Sequence, residues 1–83
     1  MASVEWSVDA LKDLEKIDTA VAERIIRKTV WLEQHFADLP PEGLRRDLKG
    51  FFKLRIGDYR AVYSVRKDVI TITKVGHRSE VYD

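Results

Sequence analysis

The chain has 83 residues, which is enough for one small domain with a compact core, and we expect residues 1–83 to form that domain. It has no cysteine and only two, widely separated histidines, so the composition excludes a disulfide framework and a thiolate metal site and argues against structural zinc. Formal net charge is +1, but residues 1–40 sum to −3 and residues 41–83 to +4, which favours an acidic or nucleic-acid partner for the second half unless the excess is only a solvated surface.

A short strand and a short helix are predicted at the N-terminus. Polarity alternates from Val4 to Ser7, as it does in a strand. Ser7, with Asp9 in the next turn, is typical of a helix start. The helix itself is indicated by three apolar residues at helical spacing, Leu11, Leu14 and Ile17.

A second, longer helix follows, for which Asp18 or Thr19 offers the cap. Its apolar residues recur in steps of three and four over nearly five turns: Val21, Ile25, Thr29, Leu32 and Phe36. Three more apolar residues, Ala22, Ile26 and Val30, predict a wide apolar face that lies across a sheet and leaves three cations toward water, Arg24, Arg27 and Lys28. Pro40-Pro41 and Gly43 should end the helix. The aromatic residues near its end are interpreted as packing or partner contacts, namely Trp31, His35 and Phe36.

The last third of the chain predicts three consecutive antiparallel strands. Side chains alternate in a strand, so Phe52, Leu54 and Ile56 face one side of the first and Lys53 and Arg55 the other. A turn at 57–58 leads to a strand over 59–66, and a turn at 67–68 leads to a β-branched strand over 69–75. The predicted fold is therefore α+β in the order β-α-α-β-β-β, with the first strand at a sheet edge, both helices packed on one face of an antiparallel sheet and the opposite face available for function.

Two motifs in this region resemble those of a known family. One is the run KLRIGDYRAVY over residues 53–63, and the other is the ending Gly-His-Arg-x-x-Val-Tyr over residues 76–82. With the element order, they resemble the RelE/ParE superfamily of toxin–antitoxin toxins over essentially the whole chain. The resemblance to the RelE branch implies an endoribonuclease that enters the ribosomal A site, cuts messenger RNA and is held inactive by a cognate antitoxin. The ParE branch is similar in fold but inhibits DNA gyrase without catalysis, and a degenerate member would only bind its antitoxin.

Metal-free RNA cleavage uses the neighbouring 2′-hydroxyl as nucleophile, and it needs a base, an acid and cations around the reacting phosphate. By resemblance, Arg60 is the phosphate-binding arginine of the central strand, although it could instead be a surface arginine paired with Asp58 or Asp68. Lys53 and Arg55 resemble the basic pair of the family, which has two lysines in the well-known enzyme. An arginine binds phosphate but stays charged, so Arg55 cannot abstract a proton.

The C-terminal motif supplies the other candidates. Arg78 resembles a transition-state clamp or acid, or else it pairs with Glu80 or the terminal carboxylate. Tyr82 resembles a tyrosine that stacks on a base and assists proton transfer, or else it covers a sheet edge. His77 is the natural acid–base group near neutral pH, but if Arg78 points into the site, the adjacent His77 points out of it.

The resemblance also implies the partners. These are a cognate antitoxin, the ribosome and messenger RNA, and the toxin alone is expected to be monomeric, with no cofactor and no metal. The N-terminus has no basic region followed by an apolar run, and no apolar stretch approaches the ~20 residues that span a bilayer. We therefore expect a cytoplasmic protein that does not contact membranes.

Overall fold

A computed structural model of the chain describes residues 2–36 and 50–81. In these two stretches the order of elements is β-α-α-β-β-β, which confirms the predicted α+β arrangement. The helices are α1, Val8–Glu15, and α2, Thr19–His35. The strands are β1, Ser3–Trp6; β2, Phe52–Ile56; β3, Tyr59–Arg66; and β4, Val69–His77. Neither helix has the length and apolar character needed to cross a bilayer.

The strands form one sheet in the spatial order β1-β4-β3-β2. The pairs β2/β3 and β3/β4 are antiparallel, which confirms the predicted succession of three strands. β1 lies at an edge, as predicted, but it runs parallel to β4, with Ser3 opposite Val69. The sheet is therefore mixed, and its last strand in sequence lies between the first and the third.

Both helices start where the sequence predicts. The Ser7 side chain caps α1 and accepts a hydrogen bond from the Ala10 backbone N–H at 3.1 Å. Asp18 caps α2 by accepting from the Ala20 N–H at 3.2 Å. α2 ends at His35 with Phe36 as its C-cap. The predicted stop at residues 40–43 lies outside the described residues.

The core lies between the helices and one face of the sheet. α2 contributes Ile25, Thr29 and Leu32, all buried as the periodicity predicts. Ile25 and Leu32 pack in one cluster with α1 and sheet residues: Ala10, Ile56, Ala61, Tyr63, Ile70, Ile72 and Val75. Tyr63 stacks on Phe52 with ring centroids 5.3 Å apart. Both helices therefore cover the same face, and the other face is clear of them.

The packed stripe of the helices is narrower than the sequence predicts. Ile26 and Val30 of α2 are 42% and 45% exposed, and Leu11 of α1 is 47% exposed. Each residue advances about 100° around an α-helix, so Ile26 lies well to one side of the buried Ile25. The prediction that Ile26 and Val30 belong to one wide packed face is wrong, because a flat sheet contacts only one side of the cylinder.

A bulge in β4 changes which side chains face outward. Val62 pairs with Lys74, whereas Tyr63 pairs with Ile72, so Thr73 is an extra residue in β4. Its hydroxyl donates to the Val62 carbonyl at 3.2 Å. An extra residue inverts the alternation beyond it. Lys74 therefore lies on the face away from the helices, where unbroken alternation from Ile72 would not have placed it.

Candidate active site

The sheet face away from the helices, called here the open face, carries basic residues in two adjacent cross-strand rows. In the first row, Lys53 of β2 and Lys74 of β4 lie on either side of Val62 of β3. Lys53 is half-buried and Lys74 is exposed. Neighbouring strands are ~4.8 Å apart, so the two lysines start from backbone positions ~10 Å apart, a gap that a phosphate group and its ribose can fill.

The second row contains two arginines. Arg55 of β2 is directly opposite Arg60 of β3, and Gly76 of β4 completes the row. A Cβ atom on Gly76 would lie only 3.1 Å from the Cγ2 atom of Val81, so the chain after β4 folds back over this end of the row. The absence of a side chain at Gly76 makes room for that return.

Arg60 is held in place before any substrate binds. It is only 5% exposed, and its Nη1 atom donates to the carbonyls of Tyr59, at 3.1 Å, and Gly57, at 3.3 Å. The alternative prediction of a surface arginine is therefore wrong. A guanidinium fixed by carbonyls of its own turn is a preorganised charge, which is the property that transition-state stabilisation requires.

Arg78 is joined to the same turn. Its backbone N–H donates to the Asp58 carbonyl at 2.7 Å, so the end of β4 is fixed against the turn that binds Arg60. The backbone N–H groups of Glu80 and Val81 both donate to the His77 carbonyl, at 2.8 and 3.1 Å, and close a turn over 78–80. The Arg78 side chain on this turn is exposed. The two segments that carry the arginines of the separate sequence motifs are thus joined by a backbone hydrogen bond at one end of the sheet.

His77 lies on the helix side of the sheet. It pairs with Tyr59, a residue that packs on the core, and the two rings meet edge to face with centroids 5.5 Å apart. The Ser79 backbone N–H donates to His77 Nδ1 at 3.2 Å, and the Ser79 hydroxyl lies 2.9 Å from the same atom. Nδ1 is therefore an acceptor, which places the proton of the neutral ring on Nε2. Arg60 and His77 lie on opposite faces of the sheet.

The structure describes Tyr63 but not Tyr82. Tyr82 lies outside the described residues, so its predicted role stays a prediction. Tyr63 is 1% exposed among core residues, and this burial raises the pKa of its phenol above the usual value. Tyr63 is therefore a packing residue, and Tyr59 packs against the same core.

Sequence reasoning missed Lys74. Regular alternation in the run Ile70 to Lys74 places the lysine with the core residues, and nothing in the composition of β4 marks Thr73 as an extra residue. A lysine at an apparently core-facing position of a strand was the available signal, because an unpaired lysine is almost never fully buried.

Comparison with known proteins agrees with this architecture. The family model described as the ParE toxin of the type II toxin–antitoxin system parDE matches residues 4–82. The chain belongs to the RelE/ParE superfamily of type II toxins. It is 30% identical over 88 aligned positions to the toxin RelG of Mycobacterium tuberculosis, an alignment that spans 96% of this chain and 94% of that toxin. The resemblance drawn from the two motifs is therefore confirmed.

Solved structures show that superfamily members share this fold. One is in the RelBE2 toxin–antitoxin complex of Mycobacterium tuberculosis, with a TM-score of 0.75 and 27% identity over 93% of this chain and 98% of that one. Another is in the intact Escherichia coli RelBE complex, with a TM-score of 0.74 and 22% identity over 93% of this chain and 96% of that one.

Proposed function

We propose that this toxin is a ribosome-dependent endoribonuclease that cleaves messenger RNA, and that a cognate antitoxin holds it inactive. The main support is the open face, where Arg60 is fixed beside Arg55 and next to the row of Lys53 and Lys74. Cleavage of a phosphodiester requires positive charges of this kind around the reacting phosphate. Two further observations support it: the relative RelG is named a toxin, and the similar folds occur in toxin–antitoxin complexes.

The proposed reaction needs no metal. The ribose 2′-hydroxyl attacks the adjacent phosphorus, a cyclic 2′,3′-phosphate forms, and the 5′-oxygen leaves with a proton. Negative charge builds up on the non-bridging oxygens during this step, and Arg60 stabilises it from its fixed position at the turn. The exposed Arg78, fixed at the same turn through its backbone, completes the clamp on the phosphate.

Proton transfer falls to residues on the open face. Lys53 and Lys74 lie on that face in the row next to Arg60, which supports a role for one of these lysines in proton transfer to or from the RNA. His77 lies on the opposite side of the sheet against Tyr59, so we assign it no proton-transfer role. Tyr82 is retained as the residue that stacks on a base, as the family resemblance implies.

The deciding experiment is primer extension on a reporter transcript after the toxin is induced without its antitoxin. Cuts within translated codons, absent when the start codon is mutated, are the expected result. Intact transcripts together with undiminished protein synthesis would refute the proposal.

A second candidate function is inhibition of DNA gyrase without catalysis. It is favoured by the family model that matches this chain, which is named for the ParE toxin. Plasmid supercoiling and transcript integrity, measured in the same induced cells, distinguish the two functions. Loss of plasmid supercoiling with intact transcripts would indicate gyrase inhibition, whereas the nuclease leaves supercoiling unchanged at early times.

A further inference from the structure

A pocket of about 430 Å³ opens between α2 and the end of β2, outside the open face. Its lining includes four cationic side chains, Arg24, Arg27, Lys28 and Arg55, and three other residues, Trp31, Ile56 and Gly57. Among the described residues no carboxylate lines it. We call this site the α2–β2 pocket.

The cations of this pocket lie close together at a cost to the helix. On α2, Arg24 lies three residues before Arg27 and four before Lys28, and like charges at these spacings destabilise a helix by a few tenths of a kcal/mol per pair. Arg24 also lies against the backbone of Gly57, because a Cβ atom there would be 3.3 Å from its Nη2 atom. Positive charges clustered in a concave site strengthen the local electrostatic potential, and such a site attracts an anion.

Trp31 positions one of these cations. The Lys28 ammonium lies 4.2 Å from the centroid of the Trp31 ring, at cation–π distance. Trp31 in turn stacks on His35 with ring centroids 4.9 Å apart and planes 22° apart. The indole is thus supported within the helix surface and orients Lys28 at the pocket.

Arg55 joins the pocket to the candidate active site. It lines the pocket, and on the sheet it lies directly opposite Arg60. β2 is one of the two edge strands of the described sheet, so a polyanion that crosses the open face can continue around this edge, past Arg55, to the cations of α2.

We propose that the α2–β2 pocket is a second RNA-binding site, which holds phosphate groups of the RNA strand outside the cleavage site; this inference rests on the proposed function. Guanidinium groups bind phosphates through paired N–H donors, and an RNA strand supplies one phosphate per nucleotide along its path. An acidic protein segment offers carboxylates to the same cations. Because the pocket continues into the row of Arg55 and Arg60, we favour an RNA strand that passes over both over an acidic protein segment.

The experiment compares two double variants that lose the same charge. Arg27→Gln/Lys28→Gln changes the pocket, and Lys12→Gln/Lys16→Gln makes the matched change in α1 and at its C-cap, at residues that do not line the pocket. The probe is a fluorescein-labelled single-stranded RNA with 2′-O-methyl riboses, which cannot be cleaved by 2′-hydroxyl attack. Anisotropy titrations at several KCl concentrations give the affinity and its salt slope, and a polyglutamate peptide of equal charge is the second probe.

We expect the pocket variant to bind the RNA at least ~10-fold more weakly and its salt slope to fall by about 1.4, because each single-strand phosphate contact contributes ~0.7. The affinity and the salt slope of the Lys12→Gln/Lys16→Gln variant should both stay within ~2-fold of those of the unmodified protein. RNA should also change the fluorescence of Trp31, and Trp31→Phe should abolish that change. Equal binding by the two variants, a signal that survives Trp31→Phe, or a loss of peptide binding alone would overturn the proposal.

These readouts are separate from catalysis. A chain that cuts no transcript but shows the predicted binding differences would refute the nuclease and leave the pocket as an RNA site. A chain that cuts transcripts while Arg27→Gln/Lys28→Gln binds RNA normally would refute the pocket alone.

Discussion

Arg60→Ala should nearly abolish cleavage while the protein remains folded. In the structure, Arg60 is a buried charge fixed at the β2–β3 turn by the carbonyls of Gly57 and Tyr59. Loss of one preorganised transition-state contact costs ~10²–10³ in rate, or about 2.7–4 kcal/mol. We therefore expect the single-turnover rate on saturating programmed ribosomes to fall by at least ~10²-fold, with a much smaller change in ribosome affinity.

The same substitution should also lower stability, and the two effects must be separated. It leaves two carbonyls without the guanidinium, and Gly57 is exposed, so water can replace the donor there. We expect a loss of about 1–3 kcal/mol in the free energy of unfolding, at roughly 4–8 °C of melting temperature per kcal/mol for a domain of this size. Cleavage should therefore be measured at a temperature at which circular dichroism shows every variant folded.

Two further variants make the result specific. Arg66→Ala is the matched control, since Arg66 is an exposed arginine on the same strand and face, six residues and ~20 Å from Arg60. It should cleave at close to the unmodified rate. Arg60→Lys keeps the charge but not the planar fork, so its rate should lie between those of the other two. If folded Arg60→Ala cleaves like the unmodified protein, Arg60 only stabilises the turn and the proposed active site is wrong.

Other predictions test the remaining assignments. Lys74→Ala should slow single-turnover cleavage by ~10-fold or more if Lys74 contacts the phosphate or moves a proton, and a rate equal to that of Arg66→Ala would remove Lys74 from the site. His77→Gln should change the rate far less than the ~10²-fold expected of a proton carrier, because its ring lies across the sheet; a larger loss would restore it as the acid or base. Burial raises the pKa of Tyr63, so its contribution to stability is complete below the unfolded pKa of about 10 and is lost as pH rises through the higher folded value. Urea unfolding at pH 8 and pH 11 should thus show a smaller loss of stability for Tyr63→Phe than for the unmodified chain, and equal losses would contradict this. Ser7→Ala should cost about 1 kcal/mol of unfolding free energy through the loss of the α1 cap, and an unchanged melting curve would show that the cap is dispensable.

The local signals in the sequence were sufficient for the element order, the caps and the two faces of β2. Ser7 and Asp18 cap the helices as predicted because a capping side chain acts within three residues of itself. Lys53 and Arg55 share the open face because the alternation of β2 is unbroken. These features depend on short stretches of chain, which the sequence displays directly.

Features that depend on distant contacts could not be predicted in the same way. The exposure of Ile26 and Val30 depends on the area of sheet beneath α2, and the position of Lys74 depends on how β4 pairs with β3 around Thr73. The burial of Arg60 is likewise not displayed by the alternation of β3, which places this residue on the face away from the helices. In each case the residue type is compatible with two environments, and tertiary packing selects one.

The parallel pairing of β1 with β4 has a consequence for synthesis of the toxin. Ser3 finds its partner Val69 only 66 positions later, and β4 must be present before β1 has any partner and before β3 is paired on both sides. Contacts of such long sequence separation form late, and a chain emerging from the ribosome cannot make them early. The nascent toxin therefore has no complete four-stranded sheet until residues 69–77 are free, so an antitoxin that recognises the folded sheet can act only after these residues have left the ribosome. Nascent chains stalled before Val69 should be digested rapidly by protease, and protection of such chains would show that the sheet assembles without β4.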